Sequence, residues 1–232
     1  MFDPAVMVAS GPDPARKALR DHLAARLQEP SLAAERLLPV SEGLAELLPG
    51  GGLQRGTVTP VAGSYALALA LGVEASRTGS WVAVLGIGDL GVLAGHELVL
   101  ALERLALIPS PGRHWADATA ALIDAVDVVM VRPPAEASAA VLRRLAVRAR
   151  ERGAVLVPLG NWPEADLRAE LVRSRWQALE QGHGRLQARQ ALVKVIGRGA
   201  AASVRRAWVW LPDDQGRVRP VRLGDRRGAA IT

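Results

Sequence analysis

Apolar residues run almost unbroken from Trp81 to Ile87, between Gly79 and Gly88, a pattern that suits a strand buried on both faces. The pattern returns at Asp127-Val128-Val129-Met130-Val131, at Ala154 to Leu159 and, more briefly, at Thr57-Val58-Thr59-Pro60-Val61. Stretches with helical period lie between these runs. After the turn Ala62-Gly63, residues 64–75 predict a buried helix rich in Leu and Ala, with Ser64 as its N-cap. Gly95 to Leu105, Trp115 to Val126 and Ala135 to Arg152 predict three more helices, the last closed by Gly153. Parallel strands need crossovers, and those crossovers cover both faces of the sheet. The expected class is therefore α/β, a mainly parallel sheet with helices on both faces.

The two ends have a different character. Asp13 caps a helical run through Leu19, Leu23 and Leu27 that Pro30 closes, so residues 1–35 form a lead-in and helix. Leu37-Leu38-Pro39-Val40 is a strand candidate, and Ser41 starts a helix with Leu44, Leu47 and Leu48 on one face. Pro49-Gly50-Gly51-Gly52 ends it. Beyond residue 166 the apolar positions are spaced by arginine, and the stretch from Glu164 to Arg189 reads as a loop and helix. Ala191 to Ile196 and Arg206 to Leu211 read as an antiparallel pair at the sheet edge, with Trp208 and Trp210 on one face and Val209 on the other. Pro212-Asp213-Asp214-Gln215-Gly216 has turn residues. The expected organisation is a core over residues 36–211 and a basic, mobile tail over residues 212–232.

Composition narrows the chemistry. The 232 residues contain no Cys, which excludes disulfides, thiolate catalysis and Cys-based metal sites. The four histidines share no metal-ligand spacing, and Asp124 and Asp127 flank a helix end and a strand start, where polar residues are ordinary. Neither a metal nor a cofactor is expected. Residues 168–232 carry 14 basic and 5 acidic groups, a net of +9, against 15 and 18 in residues 1–167, a net of −3. A basic end on a nearly neutral body suggests an anionic partner. No cationic region precedes an apolar run at the N-terminus, and the most apolar stretches are too short, or broken by Asp89, for the roughly 20 residues that span a bilayer. A cytoplasmic protein with no membrane partner is expected.

A strand, a glycine turn and a helix in that order is where α/β proteins hold phosphate. The P-loop form needs a Lys six residues after its first Gly, and counting from Gly63 gives Leu69. No Lys occurs between Lys17 and Lys194. The stretch Leu44-Ala45-Glu46-Leu47-Leu48-Pro49-Gly50-Gly51-Gly52-Leu53-Gln54-Arg55-Gly56-Thr57-Val58 resembles the approach to the ATPase core of RecA-type recombinases, where a leucine-rich helix, glycines and L-x-x-G lead into the P-loop strand. That resemblance implies a RecA-like core with antiparallel C-terminal edge strands. Within it each ATPase signature is erased. Arg132 stands where the magnesium-organising Asp belongs, and Gly88, with Asp89 just beyond, stands where the water-activating Glu belongs. Phosphoryl transfer depends on charge placement around phosphate and metal, so no catalysis is expected. Gly63, Ser64, Tyr65, Gly88, Asp89 and Arg132 become the remnant of a nucleotide pocket.

A RecA-like body without a P-loop, rich in Arg and ending in basic strands, resembles the ImuA-prime type of accessory protein from actinobacterial damage-induced mutagenesis cassettes. The resemblance implies a non-catalytic scaffold in SOS-induced, error-prone translesion synthesis. Its implied partner is an ImuB-type, inactive Y-family-like protein, with an error-prone C-family polymerase, RecA and DNA as further candidates, and recruitment to damage would place it at the nucleoid. Two other readings remain open from the residues: an ATP-binding RecA paralogue, and a single-stranded-DNA-binding protein of recombination or repair. Arg168, Arg173, Arg175, Trp176, Arg185 and Arg189 are candidate DNA contacts, because arginine with an interleaved Trp can follow a phosphate backbone and stack a base. Arg205, Arg206, Trp208, Trp210, Arg217, Arg219 and Arg222 are candidates for a partner interface.

Overall fold

A computed structural model describes residues 37–88, 101–177, 188–198, 203–222 and 225. The predicted helix over residues 13–30 lies outside these residues, as do Asp89 and Arg185. Strand β1 (Leu37–Pro39) pairs antiparallel with β2 (Gly52–Gln54), and helix α1 (Glu42–Ala45) lies between them in the chain. The segment 57–62 begins the main sheet. Pro60 cannot donate a ladder hydrogen bond, so the strand is broken: Val58 bridges Leu156, and only Val61–Ala62 forms β3.

Ser64 caps helix α2 (Tyr65–Arg77), its Oγ accepting from the Leu67 amide at 3.2 Å. Leu67 through Val73 are all buried, so α2 is a core helix apolar all round. The chain continues through β4 (Val82–Leu85), β5 (Leu105–Ile108), α3 (Trp115–Ala125), β6 (Val128–Val131), α4 (Ala139–Arg152) and β7 (Val155–Pro158). Strands β4, β6 and β7 are buried at every position, as their continuous apolar runs predict. The order β5-β4-β6-β7 is wholly parallel. Strand β5 corrects the helix expected over residues 95–105, of which only Leu102–Arg104 forms a 3-10 turn within the described residues. The short run Leu105-Ala106-Leu107-Ile108 has no period that separates strand from helix, and pairing with β4 decides it.

The second half is antiparallel apart from its first pair. Strand β8 (Leu167–Trp176) pairs parallel with β3, then β9 (Arg189–Gly197), β10 (Val204–Trp210) and β11 (Arg219–Pro220) follow in order. Bridges from Val58 to Leu156 and from Val61 to Leu159 join this sheet to the parallel one. Two expectations are corrected here. The loop and helix predicted over residues 164–189 give way to a ten-residue strand over 167–176, because Leu167, Ala169 and Leu171 alternate toward the core at period two. Part of the predicted mobile tail is held, since residues 219–220 add a strand to β10.

Two apolar clusters lie on opposite sides of the sheet. One gathers α1 and α2 against Val84, Met130, Val157, Ala169, Val193 and Val209. The other gathers α3 and α4 against Ala83, Leu85, Val129, Leu156 and Val58, and includes the fully buried Trp162.

Candidate functional site: a crevice at the strand ends and a basic sheet face

The carboxyl ends of β3, β6 and β7 open into a crevice of about 490 Å³ lined by Val61, Gly63, Ser64, Tyr65, Arg132, Leu159 and Gly160. This is where open α/β sheets keep their ligands. Gly63 makes the turn into α2 at φ +80°, and a Cβ there would meet the Leu171 carbonyl oxygen at 3.1 Å, so both conformation and space call for glycine. Gly86 closes β4 in the same way, at φ +76° with the Arg132 carbonyl oxygen 2.7 Å from a Cβ. Of the predicted remnant pocket, Gly63, Ser64, Tyr65 and Arg132 come together. Gly88 is exposed and lies outside the lining.

The crevice is aromatic and cationic. The Arg132 guanidinium sits over the Tyr65 ring, 4.6 Å from its centroid. Arg132 also borders a second depression of about 750 Å³ with Gly86, Pro109, Trp115, Pro133 and Pro134. A guanidinium at the end of β6 repels a divalent cation where an aspartate would hold one. Asp127 and Asp124 lie at the other end of β6 and are engaged there. Asp127, at the start of β6, accepts from Arg55 Nη1 and from the Trp81 amide, each at 2.9 Å. Asp124 takes Arg148 and Arg152. Among the described residues no group of three or more His, Asp or Glu is placed to hold a metal ion.

The predicted DNA contacts do not form one set. Arg168 is a latch: Nη1 donates to Asn161 Oδ1 at 2.9 Å and Nη2 to the Trp162 carbonyl at 2.8 Å, fixing the loop after β7. Arg189 donates through Nε to the Leu211 carbonyl and lies over the Trp176 ring at 5.2 Å, and burial lowers its pKa. Trp176 is 46% exposed and pairs with Arg189 at the end of the β8–β9 ladder. Arg173 and Arg175 are exposed. They share rows with Leu192 and Trp208, and with Gln190 and Trp210.

The partner-interface candidates also separate. Trp208 and Trp210 share a face, as alternation predicts, but Trp210 is buried and donates through Nε1 to Asp225 Oδ2 at 3.0 Å. Arg219 joins Asp225 at 2.9 Å and Asp213 at 3.0 Å, and Arg217 reaches Asp213 at 3.3 Å. Arg222 meets Glu42 in an exposed pair at 3.3 Å. Arg205 is half-buried on the opposite side from the exposed Arg206. The residues that fold the tail back were therefore among those predicted for binding, while the carboxylates that hold them, Asp213 and Asp225, were missed.

The family model described as "MT3502 N-terminal domain" matches residues 46–164, just over half of the chain. The chain belongs to this family. The matched span of the MT3502 N-terminal domain runs from the end of α1 past β7 and so contains the Tyr65–Arg132 crevice, while β8–β11 lie beyond it. The chain is also similar to the uncharacterized protein Rv3395c of Mycobacterium tuberculosis, with 33% identity over 139 residues, covering 57% of this chain and 67% of the relative. No helix among the described residues of this family member is long and apolar enough to cross a membrane.

Proposed function

We propose that this chain is a RecA-like, non-catalytic assembly factor of the ImuA-prime type, acting in damage-induced translesion synthesis between an ImuB-type Y-family-like protein and an error-prone C-family polymerase. The observation that carries the reading is the Tyr65–Arg132 stack at the mouth of the crevice. A triphosphate with magnesium needs a lysine from the turn and an acid from the neighbouring strand. Here an aromatic ring follows the turn, and a guanidinium stands in the acid's place. The position of β3 between β7 and β8, followed by a glycine turn and α2, supports a RecA-like arrangement. The similarity to a mycobacterial protein agrees with an actinobacterial setting.

Two measurements test the reading. Isothermal titration with ATP and magnesium is expected to give no binding in the micromolar range, and saturable binding would replace the assembly factor with an ATP-binding RecA paralogue. Co-expression with the ImuB-type protein is expected to give a complex that survives gel filtration, and separate elution would overturn the partner. Deleting residues 205–232 is not a clean way to map the contact, because it removes β10 from within the sheet.

A further inference from the structure

The second apolar cluster takes no residue from β8, β9 or β10. On the side where α3 and α4 cover the parallel half, Asp225 closes over Gln190 and Trp210 at one end of their outward face, and the face is open around Arg173, Arg175 and Arg206. A β-bulge decides what this face carries. Leu171 pairs with Val193 and Arg173 pairs with Leu192, so Val172 is the extra residue. Val193 is buried in the core, which turns Leu192 and hence Arg173 and Arg175 outward. Arg206 and Trp208 of β10 share that face.

The charges on it are unbalanced. The outward carboxylate of β8, Glu170, is taken by Lys194 at 2.5 Å. Arg173, Arg175 and Arg206 are exposed, and none of them pairs with a carboxylate among the described residues. Arg175 lies over the half-buried Trp208 ring, 4.4 Å from its centroid. Arg173 and Arg175 are separated by about 7 Å along β8, two residues of extended chain.

We propose that this bare sheet face binds single-stranded nucleic acid, with Arg173 and Arg206 on phosphates and the Arg175–Trp208 stack as a platform for a base. Positive groups that track a backbone, with an aromatic ring between them, are what such binding requires. A protein partner would call for an apolar centre with charges at its rim. Here the guanidinium groups hold the exposed positions, and Leu192 and Trp208 lie half-buried between them. The proposal stands on this geometry alone and does not depend on the assembly role.

Fluorescence anisotropy with a labelled oligo-dT, followed across salt concentration, tests it. With two phosphates neutralised, the logarithm of the affinity should fall against the logarithm of salt with a slope of about −1.4. Reversing Arg173, Arg175 and Arg206 to Glu should weaken binding at least ~10-fold and flatten the slope. A matched control, with Arg77, Arg104 and Arg113 reversed to Glu, makes the same change in net charge elsewhere and should keep affinity within about twofold. Should the charge-reversed chain fail to fold by circular dichroism, the three Arg→Ala changes read the same contacts with a smaller loss. Equal losses in test and control would reduce the effect to net charge and overturn the proposal. No binding of the oligonucleotide at low salt would overturn it too, as would loss of a protein partner alone on changing the face. The ATP titration and the gel-filtration result are read independently of this one.

Discussion

Asp213 shows how single residues hold the C-terminal segment. Its side chain is only 1% exposed, and it accepts from the amides of Gln215 and Arg217 and from the guanidinium groups of Arg217 and Arg219. Burial pushes its pKa up, yet these donors together prevail and hold it below the ordinary carboxylate value. Asp225 is held down to about 2 by the Trp210 indole, then by Arg219 and the Arg222 amide. Both folded-state values lie below the unfolded ones, so the stabilisation is complete above about pH 4 and is lost as pH falls toward about 2. Asp213→Ala takes the acceptor from the Gln215 and Arg217 amides and one carboxylate from Arg219, which keeps Asp225, and should lower the unfolding free energy by about 2 kcal/mol in urea titrations at neutral pH. For Asp225→Asn, the fall in stability between about pH 4 and pH 2 should be visibly shallower than in the parent. An unchanged acid profile would show that the Trp210–Asp225–Arg219 contact does not operate in solution.

Among the elements, β8 teaches most. Its first half alternates as a half-buried strand does, with Leu167 and Ala169 buried and Arg168 exposed between them. The bulge at Val172 then changes which parity faces the core. Arginines at 168, 175 and 189 fall at multiples of seven, as on one face of a helix, and the extra residue at 172 breaks the period-two signal within β8, so the sequence predicts a helix there. Deleting Val172 would close the bulge and leave Arg173 opposite Leu192 and Arg175 opposite Gln190, so both arginines would still face outward. The expected result is an unfolding free energy within about 1 kcal/mol of the parent in chemical denaturation, since only an exposed, unpaired residue is lost, and a larger loss would mean that the ladder beyond Leu171 does not hold this register. Val172→Thr keeps the bulge on an exposed side chain and should stay within about 0.5 kcal/mol of the parent. Elements with one dominant signal were legible: the apolar runs of β4, β6 and β7, the Ser64 cap and the Gly153 stop all form as their residues predict. Strand β5 depends on its pairing with β4, distant in the chain, and β11 is only two residues long, so no local pattern announces either. The crevice was legible through Gly63, Ser64, Tyr65 and Arg132. The shared basic face was not, since it depends on register across three strands.

On the scale of the whole molecule, the sheet is covered unequally. The parallel half has helices on both sides, whereas the antiparallel half is packed on one side and on the other is open around Arg173, Arg175 and Arg206, with Asp225 closing over Gln190 and Trp210. Arg168, Arg173, Arg175, Arg189, Arg205 and Arg206 belong to that half-covered part. Its margin is sealed by the chain after Leu211. Val218 is buried in the first cluster, the Arg219 backbone lies so close to Gly43 of α1 that a Cβ there would meet it at 2.7 Å, and β11 pairs with the end of β10. These contacts make residues 212–222 and Asp225 part of the fold, opposite to the behaviour of a dispensable tail. Ending the chain after Leu211 removes the burial of Val218, both aspartates of the clamp and the last strand. That loss should lower the midpoint of thermal unfolding by at least ~5 °C, because each kcal/mol lost from a domain of this size moves the midpoint by roughly 2–4 °C. Ending it after Asp225 keeps every one of those contacts and should leave the midpoint where the full chain has it. Equal midpoints for the two truncations would mean that the clamp contributes nothing and that α1 and β10 hold the margin unaided.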